Sequence, residues 1–159
     1  MNLVKVQTKL MGNAFEFIAL SENERLGKDQ IACAIDEVKR IEKLFTTFSD
    51  DSVTNKVNEN AGKKPVEVPE EFFSLVYRAQ KISALTQGYF DLSYGSLDKD
   101  FWNFNQAMTS LPNPADAKKS VHLIDYRNII LSNEDRTIFL KNKGMRIGFG
   151  GIGKGYAAD

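Results

Sequence analysis

The chain has 159 residues, 42% hydrophobic and 26% charged, with a formal net charge of zero. That is enough chain for one domain with a sizeable core. The charge balance, with basic residues only in pairs such as Lys63-Lys64 and Lys118-Lys119, excludes nucleic-acid binding driven by bulk electrostatics. Cys33 is the single cysteine, which excludes an internal disulfide and a Cys-rich metal site. Its neighbours Ile31, Ala34 and Ile35 follow a helical pattern, so a packed or half-buried thiol is expected. No apolar run approaches the about 18 residues of a membrane span. The first residues lack a signal peptide's apolar core, so the chain starts as a cytoplasmic protein would; removal of a leader would leave the same start.

Leu3 to Leu10 and Ala14 to Leu20 alternate apolar and polar side chains and read as strands, joined by a turn or bulge at Met11-Gly12-Asn13. Ser21 to Leu26 reads as a polar connector. Ile31, Ile35, Val38, Ile41, Leu44 and Phe45 then recur at three- and four-residue spacing, which predicts a helix over 28–45. In the polar stretch 46–57, Ser52 or Asp51 can cap a short helical turn. Asn58 to Lys64 reads as a loop, with Ala61-Gly62 its tight turn. A second amphipathic helix is predicted over 70–86: Pro69, Glu70 and Glu71 suit its start, and Phe72, Leu75, Val76, Ala79, Ile82 and Leu85 form its apolar stripe. Gly88 is the expected stop. Asp98 to Ser120 predicts loops with short helical turns. Val121 to Asp125, Ile129 to Ser132 and Thr137 to Lys141 read as strands, the last two joined by a turn at Asn133-Glu134-Asp135. The order predicts an α+β fold: a mixed or antiparallel sheet with two amphipathic helices packed on one face.

Chemistry concentrates in the last residues. The strand-like step Met145 to Phe149 runs into Gly150, Gly151, Gly153 and Gly155, with Lys154 among them. Glycines let backbone N–H groups approach a ligand closely, a following helix start favours an anion, and a lysine adds charge. That combination suits a phosphate-bearing ligand, although the segment is neither a P-loop nor a dinucleotide-binding fingerprint. Gly88-Tyr89-Phe90-Asp91 reads in two ways. It is a helix end with two core aromatics, or a carboxylate placed to hold one edge of a planar heterocycle. Phe101, Trp102 and Phe104 form either an aromatic platform or a satellite core cluster. His122, the sole histidine, lies in a strand-like run without an orienting partner and reads as structural or surface. The residues offer no metal cage.

In order along the chain, these pieces resemble the ApbE family, the FAD:protein FMN transferases. The matching stretches are Met11-Gly12 with the strand after it; Phe45 to Asn58, similar to the family's aromatic-x-x-Ser…Asn stretch; Thr86-Gln87-Gly88-Tyr89-Phe90-Asp91, similar to Thr-x-Gly-x-Phe-Asp; and Gly150-Gly151-Ile152-Gly153-Lys154-Gly155-Tyr156-Ala157-Ala158-Asp159, similar to Gly-Gly-Ile-x-Lys-Gly-Tyr-x-x-Asp.

The resemblance implies an enzyme that binds FAD with magnesium and moves FMN onto a threonine hydroxyl of an acceptor protein, releasing AMP. It implies that Met11 contacts the flavin and that Asn58 lies near the nucleotide. Phe48 stands where many members have tyrosine, so stacking remains but a hydroxyl contact does not. Tyr89, Phe90 and Asp91 are expected to line the ring pocket, Gly151 and Lys154 to approach the diphosphate, and Asp159 to hold a polar group on the adenosine side. Residues 1–159 would then be the N-terminal part of a single ApbE-like domain. Its C-terminal half, with the Mg2+ ligands, is expected beyond residue 159, which leaves the chain alone incompetent for transfer. The family also implies a periplasmic or membrane-anchored location if a leader has been removed. Two other readings fit the same residues: a flavin-binding module without turnover, and an FAD pyrophosphatase yielding FMN and AMP.

Overall fold

The computed structural model describes residues 1–97, 113–118 and 121–159. The chain opens with an antiparallel ribbon, β1 (Asn2–Leu10) and β2 (Asn13–Ser21), in a register that pairs Val6 with Phe17 and Thr8 with Phe15. Both turn residues are left-handed, Met11 at φ 49° and Gly12 at φ 75°. This pairing matches the right-handed twist of the strands, but it places a bulky side chain where glycine or asparagine is usual. Val4 and Leu10 are buried, whereas Leu3, Ile18 and Leu20 on the opposite face are exposed.

Helix α1 spans Glu24–Phe45 and lies against the ribbon. It begins four residues before the predicted Lys28, inside the expected connector. The Asn23 side chain accepts the Leu26 N–H at 2.9 Å, and Glu24 sits in the first turn. Cap and dipole therefore start the helix before its apolar stripe begins. Cys33 is exposed, contrary to its expected burial, because its position falls beside the buried line of Ile31, Val38, Ile41 and Phe45. Helix α2 (Val53–Glu59) is capped by Ser52, as expected, and takes in the start of the predicted loop.

The second sheet is three-stranded and antiparallel, in the order β3 (Val66–Glu67), β5 (Thr137–Leu140), β4 (Ile129–Ser132). Among the described residues the strands thus form two separate sheets rather than one. Helix α3 (Glu70–Leu85) buries Phe72, Phe73, Leu75, Val76 and Ala79. Leu85, expected inside, is 83% exposed, and Ser83 takes the inward position. The helix ends in a left-handed pair, Gln87 at φ 54° and Gly88 at φ 86°. Gly88 N–H reaches Ser83 O at 2.8 Å and Gln87 N–H reaches Ala84 O at 3.2 Å. The stop thus starts one residue before the expected glycine. A single helical turn, α4 (Pro114–Ala117), follows later. The rest of the expected 98–120 loop region, with Phe101, Trp102 and Phe104, lies outside the described residues.

Two expected strands have no ladder. Val121–Leu123 is a 3-10 turn, as is Tyr126–Asn128. Its backbone bonds are local, Val121 N–H to Lys118 O and Ile124 N–H to Val121 O. The stretch 145–149 is buried at Met145, Ile147 and Phe149 but joins neither sheet. It leads into α5 (Gly153–Ala158). Phe45 of α1, Phe72 of α3 and Phe149 meet with ring centroids 4.6–5.3 Å apart, so the main core forms under the glycine-rich turn.

Replacing Gln87 by glycine removes a left-handed strain of about 1–2 kcal/mol while adding flexibility to the unfolded chain. Gln87→Gly is therefore expected to raise stability by about 0.5 kcal/mol, read from the urea midpoint. A fall in stability would contradict this description of the helix end.

Candidate functional site

The site is built on the segment 145–149, whose backbone is paired largely by side chains. Asn58, buried on α2, accepts the Ile147 N–H at 2.7 Å and donates its amide to Ile147 O at 3.1 Å. A carboxamide carries one acceptor and one donor face, so it substitutes for a neighbouring strand's peptide. Ser96 does the same one residue earlier: its Oγ accepts the Arg146 N–H at 2.9 Å and donates to Arg146 O at 3.1 Å. Leu92 O accepts the Gly148 N–H at 2.9 Å. Burial of these backbone groups is tolerated because each has a partner.

The second component is the corner that follows α3. Phe90 N–H donates to Thr86 Oγ1 at 3.1 Å. Asp91 then caps a 3-10 turn, Leu92–Ser96. Its Oδ1 accepts both the Ser93 N–H (2.7 Å) and the Ser93 hydroxyl (2.6 Å), while its Oδ2 accepts the Tyr126 N–H (2.8 Å). Both carboxylate oxygens are therefore used within the chain. Asp91 fastens the corner to the Tyr126 turn; it caps the turn that follows rather than α3.

That turn lies flat on the glycine segment. A Cβ at Gly95 would fall 2.8 Å from the Ile147 carbonyl carbon, and one at Gly150 would fall 2.5 Å from the Tyr94 oxygen. The Tyr94 hydroxyl accepts the Gly150 N–H at 3.0 Å. A Cβ at Gly151 would lie 3.3 Å from the Phe90 ring, and one at Gly153 would lie 3.5 Å from Met11 Cε. Close approach by neighbouring groups thus accounts for glycine at 95 and 150. The left-handed Met11 aims its side chain at the same place, half-buried against the core.

Of the candidate residues, Phe90 lies beside Gly151, Met11 lies beside Gly153, and Lys154 reaches back to Gly150, all within the glycine turn. Lys154 is exposed and its Nζ donates to Gly150 O at 3.1 Å. The Gly151 N–H has no acceptor among the described residues. Asn58 lies beneath the segment, with its amide committed to Ile147. Tyr89 is 96% exposed and Phe48 is 85% exposed. Asp159 is exposed at the end of α5. Phe48 rides on a loop tied to the glycine segment: Arg146 Nη2 donates to Asn55 Oδ1 at 3.2 Å, and the Asn55 amide donates to Thr47 O and Ser49 O at 3.0 and 2.9 Å.

Residue spacing alone does not reveal Ser93, Tyr94, Ser96 or Tyr126, because side-chain bonds to distant backbone follow no periodicity. A second device outside the motifs anchors α5. The Tyr156 hydroxyl donates to Glu71 Oε1 at 2.9 Å, and Arg40 donates to both Glu71 oxygens at 2.7 and 2.8 Å and to both Glu37 oxygens at 2.9 and 2.7 Å. Hydrogen bonds from Arg40 hold the Glu71 carboxyl below its ordinary range, against burial, which raises it. Burial first, and then the bond to Glu71, pushes the Tyr156 phenol up. A separate groove of about 600 Å³, lined by residues including Tyr77, Arg78, Lys81 and Arg136, runs along the outer face of α3. None of the predicted site residues lines it.

Asp91→Ala is expected to cost about 2–4 kcal/mol of stability, because it strands Ser93 and Tyr126 donors; Asp91→Asn is expected to cost less. Equal urea midpoints for wild type and Asp91→Ala would contradict this. The depressed Glu71 value means its contribution is present above the ordinary 4.5 and is lost as the pH falls through the lower folded value. The α5 anchor is therefore expected to loosen in that acid window, followed by near-UV circular dichroism. Glu71→Gln should remove that step; its persistence would assign it elsewhere.

Comparisons with known proteins identify the fold and its family. The ApbE family model matches residues 11–159. The chain is 33% identical over 122 residues to an FAD:protein FMN transferase of Klebsiella pneumoniae, covering 77% of this chain and 38% of that protein. It is 28% identical over 161 residues to another of that name from Buchnera aphidicola, covering 98% and 46%. The ApbE protein of Thermotoga maritima superposes with TM-score 0.85 at 25% identity, over 98% of this chain and 50% of that one. The flavin transferase ApbE of Vibrio cholerae superposes with TM-score 0.77 at 17% identity, a likeness of fold alone. The chain thus spans less than half the length of these curated relatives. The family match over residues 11–159, with the identity to its curated members, establishes that the chain belongs to the ApbE family.

Proposed function

We propose that this chain supplies the flavin-nucleotide side of an FAD:protein FMN transferase. In the whole protein, a threonine hydroxyl of an acceptor protein attacks the FMN phosphorus of FAD. A new ester P–O bond forms, the anhydride P–O bond breaks, AMP leaves and the hydroxyl proton is released. The observation that carries the reading is the closeness of the Phe90 ring to Gly151, where a Cβ would fall 3.3 Å from it. It puts an aromatic wall beside the Gly151 N–H, which has no acceptor among the described residues, as a flavin joined to a diphosphate requires. The names of the curated relatives support the same chemistry.

Each part has a physical task. The Gly151 N–H and the Lys154 ammonium, now on Gly150 O, are placed to meet charge on non-bridging oxygens. Phe90 is fixed by Thr86 and the Asp91 cap, and so offers a preset face to the ring. The charge stabilisation offered by this segment rests on the Gly151 N–H and Lys154. Catalysis of this type depends chiefly on positioning and charge stabilisation. Magnesium prefers carboxylate, phosphate and water oxygens. Among the described residues no cluster of acids, histidines or cysteines is available to hold it. Its use is proposed for the whole protein, and no step is assigned to it here.

The test incubates the whole protein with FAD, Mg2+ and a threonine-bearing acceptor, then reads covalent flavin on the acceptor and released AMP. Both are expected. AMP and free FMN without labelled acceptor would replace transfer by hydrolysis, and FAD bound without turnover would leave a binding module. Lys154→Ala is expected to raise the KM for FAD several-fold, with a smaller effect at high salt. A salt-independent effect would contradict a screened charge contact.

A further inference from the structure

We propose that the Tyr94 hydroxyl is a phosphate-contacting group, donating its proton to a non-bridging oxygen of the bound nucleotide's diphosphate; this rests on the FAD reading above. The phenol oxygen already accepts the Gly150 N–H at 3.0 Å. Its own proton has no acceptor among the described residues, and the side chain is 41% exposed. A hydroxyl that accepts one hydrogen bond is polarised into a better donor for the next.

The surroundings make this donor preset. The glycines at 148 and 150 let the ring lie on the backbone, with the Tyr94 oxygen 3.4 Å and 2.5 Å from where their Cβ atoms would stand. The 3-10 turn that carries Tyr94 is fastened at both ends, by Leu92 O to Gly148 N–H and by Ser96 Oγ to the Arg146 backbone. Asp91 caps its start. Held this way, the backbone that carries the ring is fixed, and the Gly150 N–H fixes the hydroxyl.

Two further donors belong to the same turn: the Gly151 N–H, which has no acceptor among the described residues, and the Lys154 ammonium, now on Gly150 O at 3.1 Å. Several donors in one turn suit an anion with several oxygens. Capping alone does not require a tyrosine here. Gly150 is exposed, and water can satisfy its N–H. The chemical class is a phosphoric anhydride or phosphate ester, not the flavin ring.

The test compares wild type with Tyr94→Phe, which removes one oxygen and keeps the ring. Binding of FAD and of riboflavin, which has no phosphate, is measured in the whole protein by flavin fluorescence. Tyr94→Phe is expected to weaken FAD about tenfold, the usual scale for a bond to a charged group. Riboflavin binding and the melting temperature are expected to stay the same. Equal weakening of both flavins would make Tyr94 a structural group and overturn the proposal, as would unchanged FAD binding. If wild type binds riboflavin but gains nothing from the diphosphate, the phosphate site falls while flavin recognition stands. If it binds neither flavin, the functional reading fails as well.

Discussion

One set of contacts orders everything else: the Leu92–Ser96 turn lies directly on the segment that leads into the glycines. Gly95 leaves no room for a Cβ against Ile147, and the Leu92 carbonyl and the Ser96 hydroxyl take backbone partners from Gly148 and Arg146. The attachment is made by side chains and a single carbonyl, not by a ladder. It holds the aromatic corner and the glycine turn at a fixed spacing, as binding the two ends of a flavin–diphosphate ligand would require. Such preset geometry is worth more in a site than any single strong contact.

The core beneath is arranged to keep that surface still. Phe45, Phe72 and Phe149 come from three segments and pack together below the turn, the first two stacked and Phe149 tilted or edge-on to them. Tyr156 adds an edge contact to Phe45 and a hydrogen bond to Glu71, which Arg40 ties in turn to α1. Residues 153–158 of α5 are thus tied to the core by tertiary anchors. The left-handed Met11 belongs to the same scheme. Its backbone strain is tolerated where its side chain packs beside Gly153.

Much of the fold is legible in the sequence because burial imposes a period. The ribbon shows as alternation, and α1 and α3 show as stripes ending in Phe45 and beginning at Phe72. The early start of α1 is legible only at Asn23, whose cap acts before any apolar position appears. The stretch 145–149 reads correctly as apolar, but it joins no sheet and its partners are hidden. Asn58 and Ser96 stand far away in sequence and imitate a strand with side-chain groups. Val121 to Asp125 has strand-like composition but satisfies its backbone locally. At the site, Phe90, Met11 and Gly151 emerge from motif order, whereas Tyr94 does not, since no spacing rule links it to Gly150. Asp91 is found by its motif, yet its work for Ser93 and Tyr126 is visible only in three dimensions.

The central claim is that the glycine turn and the Phe90 corner together hold a flavin nucleotide. Amide and aromatic NMR shifts of the whole protein, followed through an FAD titration, test it most directly. Saturable shifts at Gly150, Gly151, Phe90 and Tyr94 are expected, with the residues of the α3 groove unmoved. Shifts confined to that groove, around Tyr77 and Arg136, with the glycine turn silent, would contradict it.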